Sequence, residues 1–212
     1  MIHGVALTVP EPGPRAELGT FVGRVVQLDP VAAVRLCGAA GTVTAWVVTP
    51  FEVLATRTVV GELQPADVTV AATALLTALT VDRGATVDPK SEGHWRGGEL
   101  PPADGWTAVG KLAADELAAA TEHGLDEART QAGPHGPPAV LLDRTVFTVA
   151  APTGPPVQVP LRCLFALSGL GLLPDSGAHD PVQLGTTRSW LRLDTPGGGV
   201  VRSRRVTLPL LV

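Results

Sequence analysis

Two segments of this chain share one frame. The first reads Gly41-Thr42, then Trp46, then Thr49-Pro50, and runs on through Arg57 to Val60. The second reads Gly185-Thr186, then Trp190, then Thr195-Pro196, three glycines, and Val200 to Val206. In each, Gly-Thr opens a stretch with a Trp at the same offset, Thr-Pro marks a turn, and a valine-rich segment carrying Arg follows. Alternating apolar residues broken by turn residues are the pattern of β-hairpins. The spacing therefore predicts an internal hairpin repeat at 41–60 and 185–206, with helical material between.

The segments around these hairpins fill in the expectation. Val22, Val25, Val26 and Leu28 read with Val31–Cys37 as β-structure, and Phe51–Val60 completes a meander. Pro65-Ala66-Asp67 resembles a helix start, and Val68, Ala71, Ala72, Leu75, Leu76 and Leu79 fall on one helical face. Residues 106–131 read as the longest helix, with Val109, Ala113, Leu117, Ala120 and Gly124 along a narrow face of small residues. Val140–Ala150 and Val157–Val159 read as paired strands, and Leu161–Leu172 as an apolar helix. The expected fold is α+β: an antiparallel sheet, pseudo-symmetric or barrel-like, built from both chain ends, with two main helices between. All 212 residues are expected in a single compact domain.

Composition narrows the function classes. The net charge is −4 and the isoelectric point near 5.7, which disfavours a general nucleic-acid or membrane-surface binder. Cys37 and Cys163 stand far apart in apolar surroundings, as buried thiols of a reducing compartment do, with neither disulfide nor metal spacing. Met1-Ile2-His3-Gly4 has no basic leader, and no apolar run reaches the roughly 18 residues of a membrane helix. The reading is a soluble cytoplasmic protein. Arg far outnumbers Lys, and Tyr is absent, which is the residue usage of a GC-rich genome such as an actinobacterial one.

Candidate chemistry is sparse. Gly105-Trp106-Thr107-Ala108-Val109-Gly110-Lys111-Leu112 nearly matches a phosphate-binding loop, but Leu112 stands where the motif needs a hydroxyl for Mg²⁺. Residues 81–105 form a long irregular loop dense in charge, including Asp82, Asp88, Glu92 and His94. A carboxylate beside an imidazole could run acid–base chemistry, so His94, Glu92 and Asp88 are the catalytic candidates, with His94 as base. Asp175, His179 and Asp180 form a second such group without diagnostic spacing. Trp95 and Trp106 bracket a proline-rich stretch and either clamp a partner or pin the loop to the core.

The only basic concentration lies in the last hairpin. With its turn centred on Gly197, Arg192 would face Arg202 and Trp190 would face Arg204. Together with Arg188 these make one basic-aromatic patch for an anionic partner. A helix followed by a basic hairpin is also the order of a winged helix, although the helix at Leu161–Leu172 offers only Arg162 to a DNA groove.

The expectation is thus a non-catalytic binding or assembly module with a protein or small anionic ligand as partner. Trp95, Trp106, Arg188, Trp190, Arg192, Arg202 and Arg204 are its contact residues. The pattern implies no cofactor, metal, nucleic acid or membrane, and leaves homo-oligomerisation open. The alternatives are a hydrolase or transferase using the 81–105 loop and a winged-helix-like DNA-binding protein.

Overall fold

The structure is a computed structural model that describes residues 4–81, 84–89, 92–131, 133, 137–173 and 181–204. The first half of the chain runs β1 (Ala6–Thr8), α1 (Pro12–Leu28), β2 (Ala33–Ala39), β3 (Thr42–Val48), β4 (Leu54–Val60), β5 (Glu62–Gln64), β6 (Asp67–Ala71), α2 (Ala72–Val81) and β7 (Thr86–Val87). The second runs β8 (Thr107–Leu112), α3 (Ala114–Gln131), α4 (Ala139–Leu142), β9 (Thr145–Val149), β10 (Val157–Pro160), α5 (Leu161–Gly169), β11 (Val182–Thr186), β12 (Trp190–Thr195) and β13 (Gly198–Ser203).

An antiparallel sheet of eight strands, in the order β6-β2-β3-β4-β13-β12-β11-β8, passes through both halves. The α+β class and the sheet built from both ends of the chain are as the sequence predicts. The halves join where β4 meets β13, through the pairs Leu54–Val201, Ala55–Val200 and Thr56–Gly199. Ala55 and Val200 are fully buried there. β5-β1-β7 and β9-β10 form two smaller sheets.

Strict alternation gives the large sheet two distinct faces. Val34, Leu36, Val43, Ala45, Val47, Leu184, Leu191 and Leu193 point into the core. Helices cover this inner face: α1 lies against β4, α5 against β13, α2 beside α1, and α3 beside α5. The intervening residues of β2, β3 and β12 are half-buried and form the outer face.

Residues 21–28, read above as β-structure, belong to α1. Its core residues Leu18, Phe21, Val22 and Val25 follow helical spacing, and Pro occupies the start. The helix stops at Asp29, which precedes Pro30; its carboxylate accepts a bond from the Val31 amide. Pro65-Ala66-Asp67 opens strand β6 rather than a helix, and α2 follows from Ala72. Likewise Thr107–Leu112 is an edge strand, and α3 begins only at Ala114. Gly124 on α3 gives close approach to α5: a Cβ there would lie 2.5 Å from Leu161 Cδ1. Among the described residues no helix is long and apolar enough to cross a membrane.

Candidate functional site

All four tryptophans of the chain are half-buried. Trp46 and Trp190 stand on the outer face because their strand neighbours Ala45, Val47 and Leu191 fill the core. Trp95 and Trp106 reach the same face from the connector between the halves. The Arg35 guanidinium on β2 lies over the Trp95 ring, 5.9 Å from its centre. Arg192 on β12 lies over the Trp106 ring at 5.6 Å. Each arginine is also held by an aspartate: Arg35 by Asp67 at 2.6 Å and Arg192 by Asp194 at 2.6 Å. Each indole N–H donates within the connector at 2.9 Å, Trp95 to Gly98 O and Trp106 to Pro102 O.

The connector is therefore a strap across the outer face, pinned to one half at Trp95 and to the other at Trp106. Gly185 lies beneath the Trp106 ring, at ordinary contact distance. Between the pins, Arg96 and Gly97 overhang a cleft of about 270 Å³ lined by Val48, Leu54, Trp190 and Val201. Before Trp95, the Gly93 amide donates to Thr69 O at 2.9 Å, so the chain lies along the outer edge of β6.

The two hairpin frames sit on corresponding strands, β3 and β12, on either side of the β4–β13 joint. Their registers differ by two residues. With the central pair Ala55–Val200 as local twofold, Thr56 corresponds to Val201. Trp46 pairs with Thr56 and Arg192 with Val201, so Trp46 corresponds to Arg192 and not to Trp190. The two tryptophans share a face but not a position.

The basic patch is divided. The final turn is Pro196-Gly197, with Thr195 opposite Gly198, one residue off the expected register. Trp190 consequently faces Ser203, and Arg192 faces Val201. Arg202 pairs with the core residue Leu191 and so points to the inner face, where it donates to Asp143 at 2.6 Å. Arg204 follows on that side and donates to Thr187 O at 3.2 Å. Arg188 is exposed in the turn before β12. The Arg202 and Arg204 side chains thus leave the face of Trp190 and Arg192, although Arg202 also borders the cleft beside Trp190.

Of the catalytic candidates, Glu92 and His94 line one groove and Asp88 is not among its lining residues. Asp88 lies beside Gly4, whose Cβ position is 3.0 Å from Asp88 Oδ2. Glu92 and His94 are exposed along an open groove of about 650 Å³ shared with Asp29, Val31 and Pro50. Among the described residues, no three His, Cys, Asp or Glu side chains cluster as metal ligands would. Asp82, Asp175, His179, Asp180 and residues 205–212 lie outside the described residues. The winged-helix alternative fails on α5: Leu161 to Leu167 are buried, so the helix has no face to offer a groove.

Sequence reasoning missed the inner charge cluster. Arg162 on α5 is 2 % exposed; its Nη1 donates to Phe51 O at 2.8 Å and to Glu52 at 2.9 Å, and its Nη2 lies 2.9 Å from Asp143. A single Arg in an otherwise apolar helix is the signal, because a buried guanidinium must be held by carboxylates or carbonyls. Burial opposes the charge on Asp143, but the bond from Arg202 and the positive Arg162 outweigh it and hold the carboxyl below its ordinary range. Asp67 is likewise lowered by the Arg35 hydrogen bond. Cys163 is a buried free thiol that desolvation pushes up to about 12, beyond use as a nucleophile near neutral pH.

Two half-units joined edge to edge through one antiparallel sheet, with helices on its inner face, define a sliding-clamp-like fold. The DNA polymerase sliding clamp of Caulobacter crescentus shares it with a TM-score of 0.58 at 14% identity, over 98% of this chain and 67% of that one. The clamp of Bacillus subtilis gives 0.58 at 11% identity over 98% and 66%. The DnaN clamp of Bartonella birtlesii, solved bound to griselimycin, gives 0.55 at 16% over 98% and 67%. The chain thus spans about two thirds of the length of these clamps. It belongs to the family described as Domain of unknown function (DUF8185), whose model matches residues 101–207, and residues 3–97 match Domain of unknown function (DUF8010). The two matches meet within the strap. No curated protein matches the sequence.

Proposed function

We propose that this chain is a non-catalytic protein-binding and assembly module of the cytoplasm, built on a clamp-like scaffold, whose two related halves act as one body. The observation that carries the reading is the outer face. It gathers Trp46, Trp95, Trp106 and Trp190, and leaves a cleft between the strap and Trp190. Half-buried tryptophans beside a cleft are what a protein contact uses, because each supplies a large area at small entropy cost.

Charge argues for a protein rather than a DNA partner. Arg35 and Arg192 are each neutralised by an aspartate. On the helical side, α1 carries Arg15 and Arg24 against Glu17, and α2 carries no charge. α3 carries Asp115, Glu116, Glu122, Asp126 and Glu127 against its own Arg129, with Arg144 from outside the helix paired to Glu127. A DNA-binding surface needs Lys and Arg in excess along its length.

The test has two arms. Fluorescence anisotropy with a labelled DNA duplex at near-physiological salt is expected to show no saturable binding, and submicromolar binding would refute the protein-only reading. Proteins crosslinked to the chain in its own cells are identified by mass spectrometry and compared with a Trp190→Ala variant. A partner lost on that substitution, with the fold intact by circular dichroism, supports the cleft as contact site. An unchanged crosslink pattern refutes it.

A further inference from the structure

The inner side of the last hairpin holds a second cavity, of about 370 Å³, beyond the cleft beside Trp190. It opens between the β9–β10 hairpin and the end of β13, on the face to which Leu191 points, and is lined by Asp143, Thr145, Pro156, Gln158, Leu191, Arg202 and Arg204 among others; Arg202 and Ser203 also border the Trp190 cleft. We propose that this cavity is a binding site for a small phosphate-bearing ligand.

The argument is a count of donors against acceptors. Arg202 uses one nitrogen, Nη2, on Asp143, and Arg204 uses one, Nη1, on the Thr187 carbonyl. A guanidinium has five N–H groups, so most of both forks remain for another acceptor. Thr145 Oγ1 and Gln158 touch each other only at 3.4 Å, which leaves the hydroxyl and the amide N–H groups able to turn to a ligand. Among the described residues lining the cavity Asp143 is the one carboxylate, and it is already shared: Oδ1 meets Arg202 at 2.6 Å and Arg162 at 2.9 Å. Arg162 is balanced by Glu52 as well, so the lining itself sets Arg202 and Arg204 against Asp143. The cavity is therefore rich in donors and net positive.

Spacing favours one oxyanion. Arg202 and Arg204 stand two residues apart on one face, about 6.6 Å along the strand, so both forks can converge on a single phosphate. Asp143, fixed by the buried Arg162, sets the Arg202 side chain in place before any ligand arrives. Leu191 and Pro156 supply an apolar wall for an organic group attached to the phosphate.

The probes are inorganic phosphate and phenyl phosphate, titrated by calorimetry at constant ionic strength against a chloride control. Saturable one-to-one binding of either supports the site. Tighter binding of phenyl phosphate identifies a phosphomonoester ligand, and tighter binding of inorganic phosphate identifies free phosphate. Arg204→Gln removes one fork and only one internal hydrogen bond, so it is expected to fold and to weaken binding about tenfold or more. Arg129→Gln, exposed on α3, is expected to leave affinity unchanged. Absence of saturable heat with both probes overturns the proposal, and so does equal affinity in wild type and Arg204→Gln. Because no protein partner enters the titration, its failure leaves the outer-face reading standing.

Discussion

Replacing Gly198 by Ala tests the joint between the halves. Gly198 opens β13 at φ +140°, a conformation that side-chain-bearing residues rarely adopt. A Cβ there would overlap the carbonyl oxygen of Thr56 on β4 and lie 3.3 Å from Leu172 Cδ2. Backbone, not a movable side chain, is in the way. Strain at a disallowed φ costs about 1–3 kcal/mol, and forcing an extra carbon into a packed site costs about 1–3 more. A loss of about 4 kcal/mol corresponds to a fall in melting temperature of roughly 8–16 °C for a chain of this size. Gly197→Ala is the control, since its Cβ would meet Leu172, Arg57 and Thr195 at 3.4–3.7 Å, ordinary contact distances. That change is expected to stay within about 0.5 kcal/mol. Differential scanning calorimetry measures both, and hydrogen exchange locates the damage: the β4 and β13 amides should lose protection before those of β2 and β3. If the two variants melt within about 2 °C of each other, the close approach of β13 to Thr56 does not govern the joint.

Two further perturbations probe other parts of the argument. Trp106→Ala removes one pin of the strap, so limited trypsin digestion should cut faster after Arg96 while far-ultraviolet circular dichroism stays unchanged; an unaltered cutting rate would show that Trp106 does not hold the strap. Asp143, whose folded value is depressed, contributes stability above its unfolded value of about 3.9 and loses it as pH falls through the folded value. The gap in melting temperature between wild type and Asp143→Asn should therefore be widest near neutrality and close below about pH 4, and a gap that stays constant with pH would contradict the charge pairing.

The sequence disclosed the sheet better than the helices. Apolar alternation at Val43, Ala45 and Val47 marks β3 without ambiguity, because one face is core and the other is not. Helix α1 was hidden by its own valines. Val22 and Val25 suit a strand by residue type, yet with Leu18 and Phe21 they repeat at helical spacing, and that period is what burial obeys. The basic patch was lost to register. A turn one residue shorter than expected sends Arg202 and Arg204 to the other face, which residue order alone does not reveal. The Trp–Arg–Asp groups were half visible: the tryptophans stand out, but Arg35 and Asp67 are 32 residues apart and meet only because β2 pairs with β6.

The bond from Gly93 to Thr69 has a consequence for how copies of this chain could associate. The large sheet ends at β6 and at β8. At the β6 end the Gly93 amide bonds Thr69 O, so this segment occupies part of the place a neighbouring strand would need. Among the described residues β8 has no strand on its outer side. Pairing of β8 with β8 of a second copy about a twofold axis would use that edge in both copies. Strand pairing between copies through β8 would therefore join two eight-stranded sheets into one of sixteen strands, with the Gly93 segments at its two outer ends.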